Sequence, residues 1–270
     1  MKKNYLFISE STLKIIAIIL MTIDHIALFL LPSNSNLQIA LRAIGRLSMP
    51  LFVFMVVEGV YHTKKFWNYF LRLFILAVII DFIGALTNFG PGNVMMDLAM
   101  YTLIFYALKQ KNLKSLLCLI PMAYLVLSDF DILILGVSFF NSDYGTYGLV
   151  LALSIFIARV VSMRLCQTQA DAMQVDREYF INENFQPTFN VATAIAIFIA
   201  SAIFYFIYRL DYTLPILPGT ISLQSWSIFS ALFILFYNGK RGYDKPWFKY
   251  GSYLYYPLHL VVIYLISLAL

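Results

Sequence analysis

The sequence predicts an all-α fold, a polytopic membrane bundle of about nine (eight to ten) transmembrane helices. Three observations predict it. Composition is the first: 61% of the 270 residues are hydrophobic and only 12% are charged, whereas a soluble domain is about 45–50% apolar and about 25% charged. The second is the spacing of apolar runs, which recur at the roughly 20 residues a bilayer core of about 30 Å requires. The third is the gathering of lysine and arginine on alternate ends of those runs, as cytoplasmic loops demand. The formal charge of +5 is therefore a mark of topology and not of affinity for nucleic acid. The many Phe and Tyr residues suit interfacial belts.

Each element follows in order along the chain. Residues 13–31 make the first span, stopped by LPSNSN. The second covers about 44–61 with Pro50 inside it, and the third covers 66–86, ending in TNFGPGN. Residues 94–108 and 113–127 form the fourth and fifth, separated by KQKNLK. DILILGVSFF is too short to cross alone and leads into NSDYGTYG; it would pair up as a tenth crossing or fold as a re-entrant half-helix. The sixth span is 147–163. The stretch 164–188, RLCQTQADAMQVDREYFINENFQPT, reads as a polar cytoplasmic loop. Residues 189–208, 221–237 and 250–270 complete the set, the last two joined by the basic loop NGKRGYDKPWFK. The whole chain, 1–270, reads as a single membrane-embedded domain without internal repeats. The opening residues lack the pattern of a cleaved leader, so the first run is expected to be retained.

Nine spans place Lys2, Lys3, Lys64, Lys65, Lys109, Lys111 and Lys114 at one set of ends. Arg164, Arg177, Lys240, Arg241, Lys245 and Lys249 join them, while the other ends hold Arg42, Arg46 and Arg209. The expected location is the cell membrane, with the N-terminus cytoplasmic and the C-terminus outside. Cys118 and Cys166 share no metal-ligand spacing and are expected to be bystanders.

Against this apolar background stand Asp24, His25, Arg46, Glu58, His62, Arg72, Asp81, Asp97 and His259. A charge near the bilayer centre costs about 2.5–3.5 kcal/mol, so such residues face one another or a wet cavity and are read first as functional. The chain has three histidines, His25, His62 and His259, all at membrane segments. Imidazole takes and returns a proton near neutrality; the plain alternative is that each bonds a carbonyl across a helix contact. Asp24 and His25 are about 100° apart in projection, so each is expected to find its partner on another helix. Glu58 and His62, four apart, share a face. Arg42 and Arg46 do too, and two guanidiniums beside Pro50 suit an anion site, with snorkelling to lipid phosphate as the alternative. Snorkelling is the expected role of Arg72, and Asp97 has no local partner. Walker, GxGxxG, CxxC, HExxH and GxSxG motifs are absent.

LKIIAIILMTIDHIALFLLP and LRAIGRLSMPLFVFMVVEGVYHTKKFWNYFLRL resemble the opening of the TraX family of integral membrane proteins. YNGKRG and YGSYLYYPLHL resemble that family's ending, and YGTYG fits it more loosely. The resemblance implies an acetyltransferase, the best-known member being associated with N-terminal acetylation of conjugative pilin. More distantly, the opening is similar to multispan acyltransferases that acetylate sugars with cytoplasmic acetyl-CoA. Asp24, His25, Arg46, Glu58, His62 and His259 match the family pattern.

The expected function is transfer of acetyl from acetyl-CoA, as co-substrate, to an amine or hydroxyl: a protein N-terminus or an envelope polysaccharide. His25, Asp24, Glu58 and His62 are the expected catalytic residues, and Arg46, Arg42 and His259 the expected substrate- or CoA-binding ones. His25 is cast as the base, held by Asp24 or another carboxylate. No metal and no nucleic acid are expected. Two alternatives stand beside this: a proton-coupled transporter using Asp24, His25, Asp81 and Asp97, and a non-catalytic membrane component of a conjugation or surface apparatus.

Overall fold

A computed structural model describes residues 5–87, 92–130, 133–134, 137–138, 142–209 and 221–269. Lys2 and Lys3 lie outside the described residues. Among the described residues the regular structure is helical apart from a two-residue antiparallel pairing, Leu133 with Ser138 and Ile134 with Val137, and an isolated bridge between Ile8 and Tyr237. That pairing stands where a re-entrant half-helix or tenth crossing had been an option.

The first helix, α1, runs Glu10–Leu30 with Ser9 as its cap, the hydroxyl accepting from the Thr12 amide at 3.3 Å. The expected second span, about 44–61, is mostly α3, Ser48–His62, and it is preceded by a further helix, α2 Asn36–Gly45, in the stretch the sequence reading left between spans. Pro50 explains the division: it sits in the first turn of α3, where its missing N–H costs nothing. Helix α4 is Phe66–Thr87 and α5 is Val94–Lys109. Although only 16 residues long, α5 is buried over most of its length, which lets it carry Asp97 and Tyr101 among protein neighbours instead of lipid. A 3-10 turn, Leu113–Cys118, leads into α6, Leu119–Leu127.

The long pair α7 Gly145–Ala172 and α8 Arg177–Arg209 follows. The expected polar loop at 164–188 is therefore helix on both sides of a short turn at 173–176. Asp176 accepts from the Tyr179 amide at 2.8 Å, starting α8 at once, and the helix continues through Pro187. With 28 and 33 residues, the two helices are about 42 and 50 Å long, more than the roughly 30 Å core needs. Short helices α9 Ile221–Gln224 and α10 Ala231–Leu235 flank a 3-10 segment, and α11 is Pro246–Ser267. Among the described residues, six helical segments are long and apolar enough to cross a membrane: Glu10–Leu30, Asn36–His62, Phe66–Leu86, Leu113–Phe130, Gly145–Ala172 and Arg177–Ile207. The three further spans expected near 94–108, 221–237 and 250–270 are helical in part or whole but shorter or more polar.

The start of α1 is stitched to the loop before α11. Phe7 and Ile8 amides donate to the Phe236 carbonyl, Asn238 to Ile8, Glu10 to Lys240 and Ser11 to Arg241, all at 2.9–3.0 Å. This strap brings the basic loop to the end of the bundle that holds the start of α1 and the end of α3. Cys118 and Cys166 are buried free thiols.

Candidate functional site

Asp24 and His25 point to different neighbours, as their 100° separation requires. Asp24 faces α2, where Arg46 Nη2 donates to both carboxylate oxygens at 2.8 and 3.1 Å and Arg42 Nε stands 3.6 Å away. Gly45 makes this approach possible, because a Cβ there would overlap Asp24. Arg46 is only 5% exposed, and its Nη1 donates to the Tyr144 hydroxyl at 3.4 Å.

His25 faces α11, and its partner is an imidazole where a carboxylate had been expected. His25 Nδ1 lies 2.7 Å from His259 Nε2, with the rings stacked at 4.9 Å. His259 Nδ1 lies 3.0 Å from the Tyr255 carbonyl. A carbonyl only accepts, so His259 carries its proton on Nδ1. With both rings neutral, His259 Nε2 accepts from His25 Nδ1–H, and the lone pair of His25 is left on Nε2. The chain continues outward through Tyr255, stacked on His259 at 5.1 Å, whose hydroxyl lies 2.8 Å from Thr22 Oγ1. Thr22 spends its own proton on the Ile18 carbonyl, so Tyr255 is the donor.

Glu58 and His62 pair as their spacing predicts, at 3.5 Å, but elsewhere. Arg46 to Glu58 is twelve residues, about 18 Å along the helix, so the expected catalytic set is divided between two places. Glu58 is held by Arg159 of α7, whose guanidinium lies over Tyr61 at 4.1 Å and Phe185 at 4.9 Å. Sequence reasoning missed Arg159, although an arginine inside IFIARVV was a visible signal. Asp97, fully buried, accepts from the Ser142 hydroxyl and from the Asp143 and Tyr144 amides at 3.1 Å. It anchors the turn that brings Tyr144 to Arg46, a structural duty that occupies both its oxygens.

Beside Glu58 and His62 opens a cavity of about 320 Å³ between α1, α3, α4 and the loop into α11. Lys14, Arg72, Arg241 and Lys249 line it. Arg42, Arg46 and His259 are not among its lining residues. Among the described residues no three His, Cys, Asp or Glu side chains are grouped as metal ligands.

Comparison with known proteins gives two matches. A family model described as TraX protein matches residues 9–267. The probable fimbrial assembly protein FimC, serogroup H1, of Dichelobacter nodosus is 26% identical over 276 residues, covering 97% of each chain. No solved structure matches.

Proposed function

The chain belongs to the TraX family, and on that premise we propose that it is a membrane-embedded acyltransferase moving acetyl from acetyl-CoA to an amine or hydroxyl. The observation that carries this reading is the Tyr255 carbonyl–His259–His25 chain, which leaves an unprotonated nitrogen on a buried imidazole. His25 Nε2 takes the proton of the acceptor as its nitrogen or oxygen attacks the thioester carbonyl. The C–S bond then breaks, and the proton passes from His25 to the leaving thiolate. Base catalysis of this kind contributes about 10²–10⁴-fold. His259 holds the tautomer, the part given to a carboxylate in hydrolase triads. Asp24 and Arg46 hold α1 and α2 together at the level of His25, and Glu58 and His62 belong to the cavity wall at the other end of α3.

The orientation follows from the same basic residues as before: N-terminus in the cytoplasm, about nine crossings, the cavity of Lys14 and Arg241 opening inward in the cell membrane. Cytoplasmic acetyl-CoA would meet that opening directly. The test is acetyl transfer by membranes containing the wild-type chain or His25→Ala. Turnover in the variant equal to wild type removes His25 from the chemistry.

A second reading, a non-catalytic component of a surface apparatus, is favoured by the printed name of the relative, a fimbrial assembly protein. Mass spectrometry of surface proteins and glycans with and without the chain separates the two. Loss of an acetyl group supports the enzyme; an unchanged acetylation pattern supports the apparatus component.

A further inference from the structure

The basic cavity carries a chemistry of its own. Of its four cations, Lys14 pairs with Glu10 at 3.7 Å and Arg241 with Asp244 at 3.1 Å; Glu58 is claimed by Arg159, so among the described residues Arg72 and Lys249 are left without a carboxylate. Arg72 is the telling residue. Its guanidinium lies 5.9 Å from the Tyr69 ring and 5.7 Å from the Tyr253 ring. Its Nε is buried without a hydrogen-bond partner, and among the described residues no carboxylate pairs with it. A buried donor left unsatisfied is destabilising, and an oxyanion in the cavity would satisfy it. Lys14 lies 5.9 Å from the Phe248 ring, and Tyr243 meets Phe248 edge to face at 5.7 Å. Cations interleaved with aromatic faces suit phosphate beside a stacked base.

The cavity also has a neck. An apolar recess of about 120 Å³ shares Glu10, Lys14, Gly59, Tyr69 and Tyr253 with it and continues inward past Ile18, Phe52 and Met95. Lys14 and His25 are eleven residues apart, three turns, so they share a face of α1 about 16 Å apart along its axis. The anionic end of a ligand would rest at the mouth while a narrow apolar arm pointed along α1 toward His25.

We propose that this cavity binds the phosphates and base of a soluble nucleoside phosphate, with Arg72, Lys14 and Lys249 as phosphate ligands and Tyr243, Phe248 and Tyr253 as the base platform. Taking that ligand for the handle of the acyl donor rests on the acyl-transfer reading above; the phosphate site does not. The full chain, in nanodiscs of neutral lipid, is titrated calorimetrically with adenosine 3′,5′-bisphosphate, with inorganic phosphate and anionic-lipid nanodiscs as separate arms. The bisphosphate binds more tightly than phosphate, Arg72→Gln weakens it at least about tenfold, and His25→Ala leaves it unchanged. Lys249→Gln, on a half-buried side chain at the start of α11, weakens it as well and serves as the test should Arg72→Gln unfold. No bisphosphate binding, or binding untouched by either substitution, overturns the proposal. So does bisphosphate binding no tighter than that of phosphate, or occupancy only by the anionic lipid. Bisphosphate binding without acetyl transfer in any assay sinks the acyl-transfer reading alone. Transfer that needs His25 but is indifferent to Arg72 and Lys249 sinks the phosphate site alone.

Discussion

His25 and Asp24 are neighbours in sequence yet belong to different pairings, because one helical step turns them toward different helices. The consequence for His25 is that its orienting group is a neutral ring. His259→Ala should lower acetyl transfer at saturating substrate on the order of 10²-fold, while His259→Gln, whose amide oxygen can accept from His25 Nδ1–H, should recover most of it. Initial rates in proteoliposomes check this, and equal rates for the two variants would show that the acceptor atom is irrelevant. Asp24 serves stability. It is 7% exposed and faces Arg46 and Arg42, so Arg46→Ala leaves a buried carboxylate with only its more distant partner. Removing one member of such a pair costs about 3–5 kcal/mol. The denaturation midpoint in detergent should fall accordingly, and the double variant Asp24→Asn/Arg46→Gln should lose less than the two single losses combined.

At the scale of elements, short turns aim the polar side chains. The entry to α7 is the clearest case. Gly145 has φ +44°, a Cβ there would overlap Asp129, and Asp129 accepts from the Thr146 amide at 2.9 Å. Gly145→Ala therefore combines left-handed strain of about 1–2 kcal/mol with a clash at the residue after Tyr144. It should lower the melting temperature and release Tyr144 from Arg46, which a thermal melt and the quenching of tyrosine fluorescence would report. The glycine and proline that flank the α2–α3 break were visible in the sequence as GRLSMP, although 44–61 read there as one span. That the stretch folds as a two-helix element against α1 was not visible, because the close approach of Gly45 to Asp24 depends on helices distant in the chain.

For the molecule as a whole, the strap between Phe7–Ser11 and Phe236–Tyr243 sets the start of α1 and the loop before α11 on one basic rim. That rim predicts an orientation. Single cysteines replacing Lys65 or Lys240, with Cys118 and Cys166 changed to serine, should react with an impermeant maleimide only after the cell is opened. A cysteine at Asn34 should react from outside. The opposite labelling pattern would reverse the orientation and with it the side from which the donor enters.

Composition and apolar run length were enough to mark a helical membrane protein, and three histidines at membrane segments or their ends were enough to make His25 a candidate. These are local quantities, set by transfer free energy and by how many residues cross a bilayer, so they are readable one segment at a time. The pairing of His25 with His259, Glu58 with Arg159 and Asp97 with the turn before α7 joins residues 234, 101 and about 46 positions apart. Nothing in a helix's own periodicity states which neighbour it will face. Packing among all the helices settles that, and it divided one expected site into a buried histidine pair and a basic cavity at opposite ends of α3.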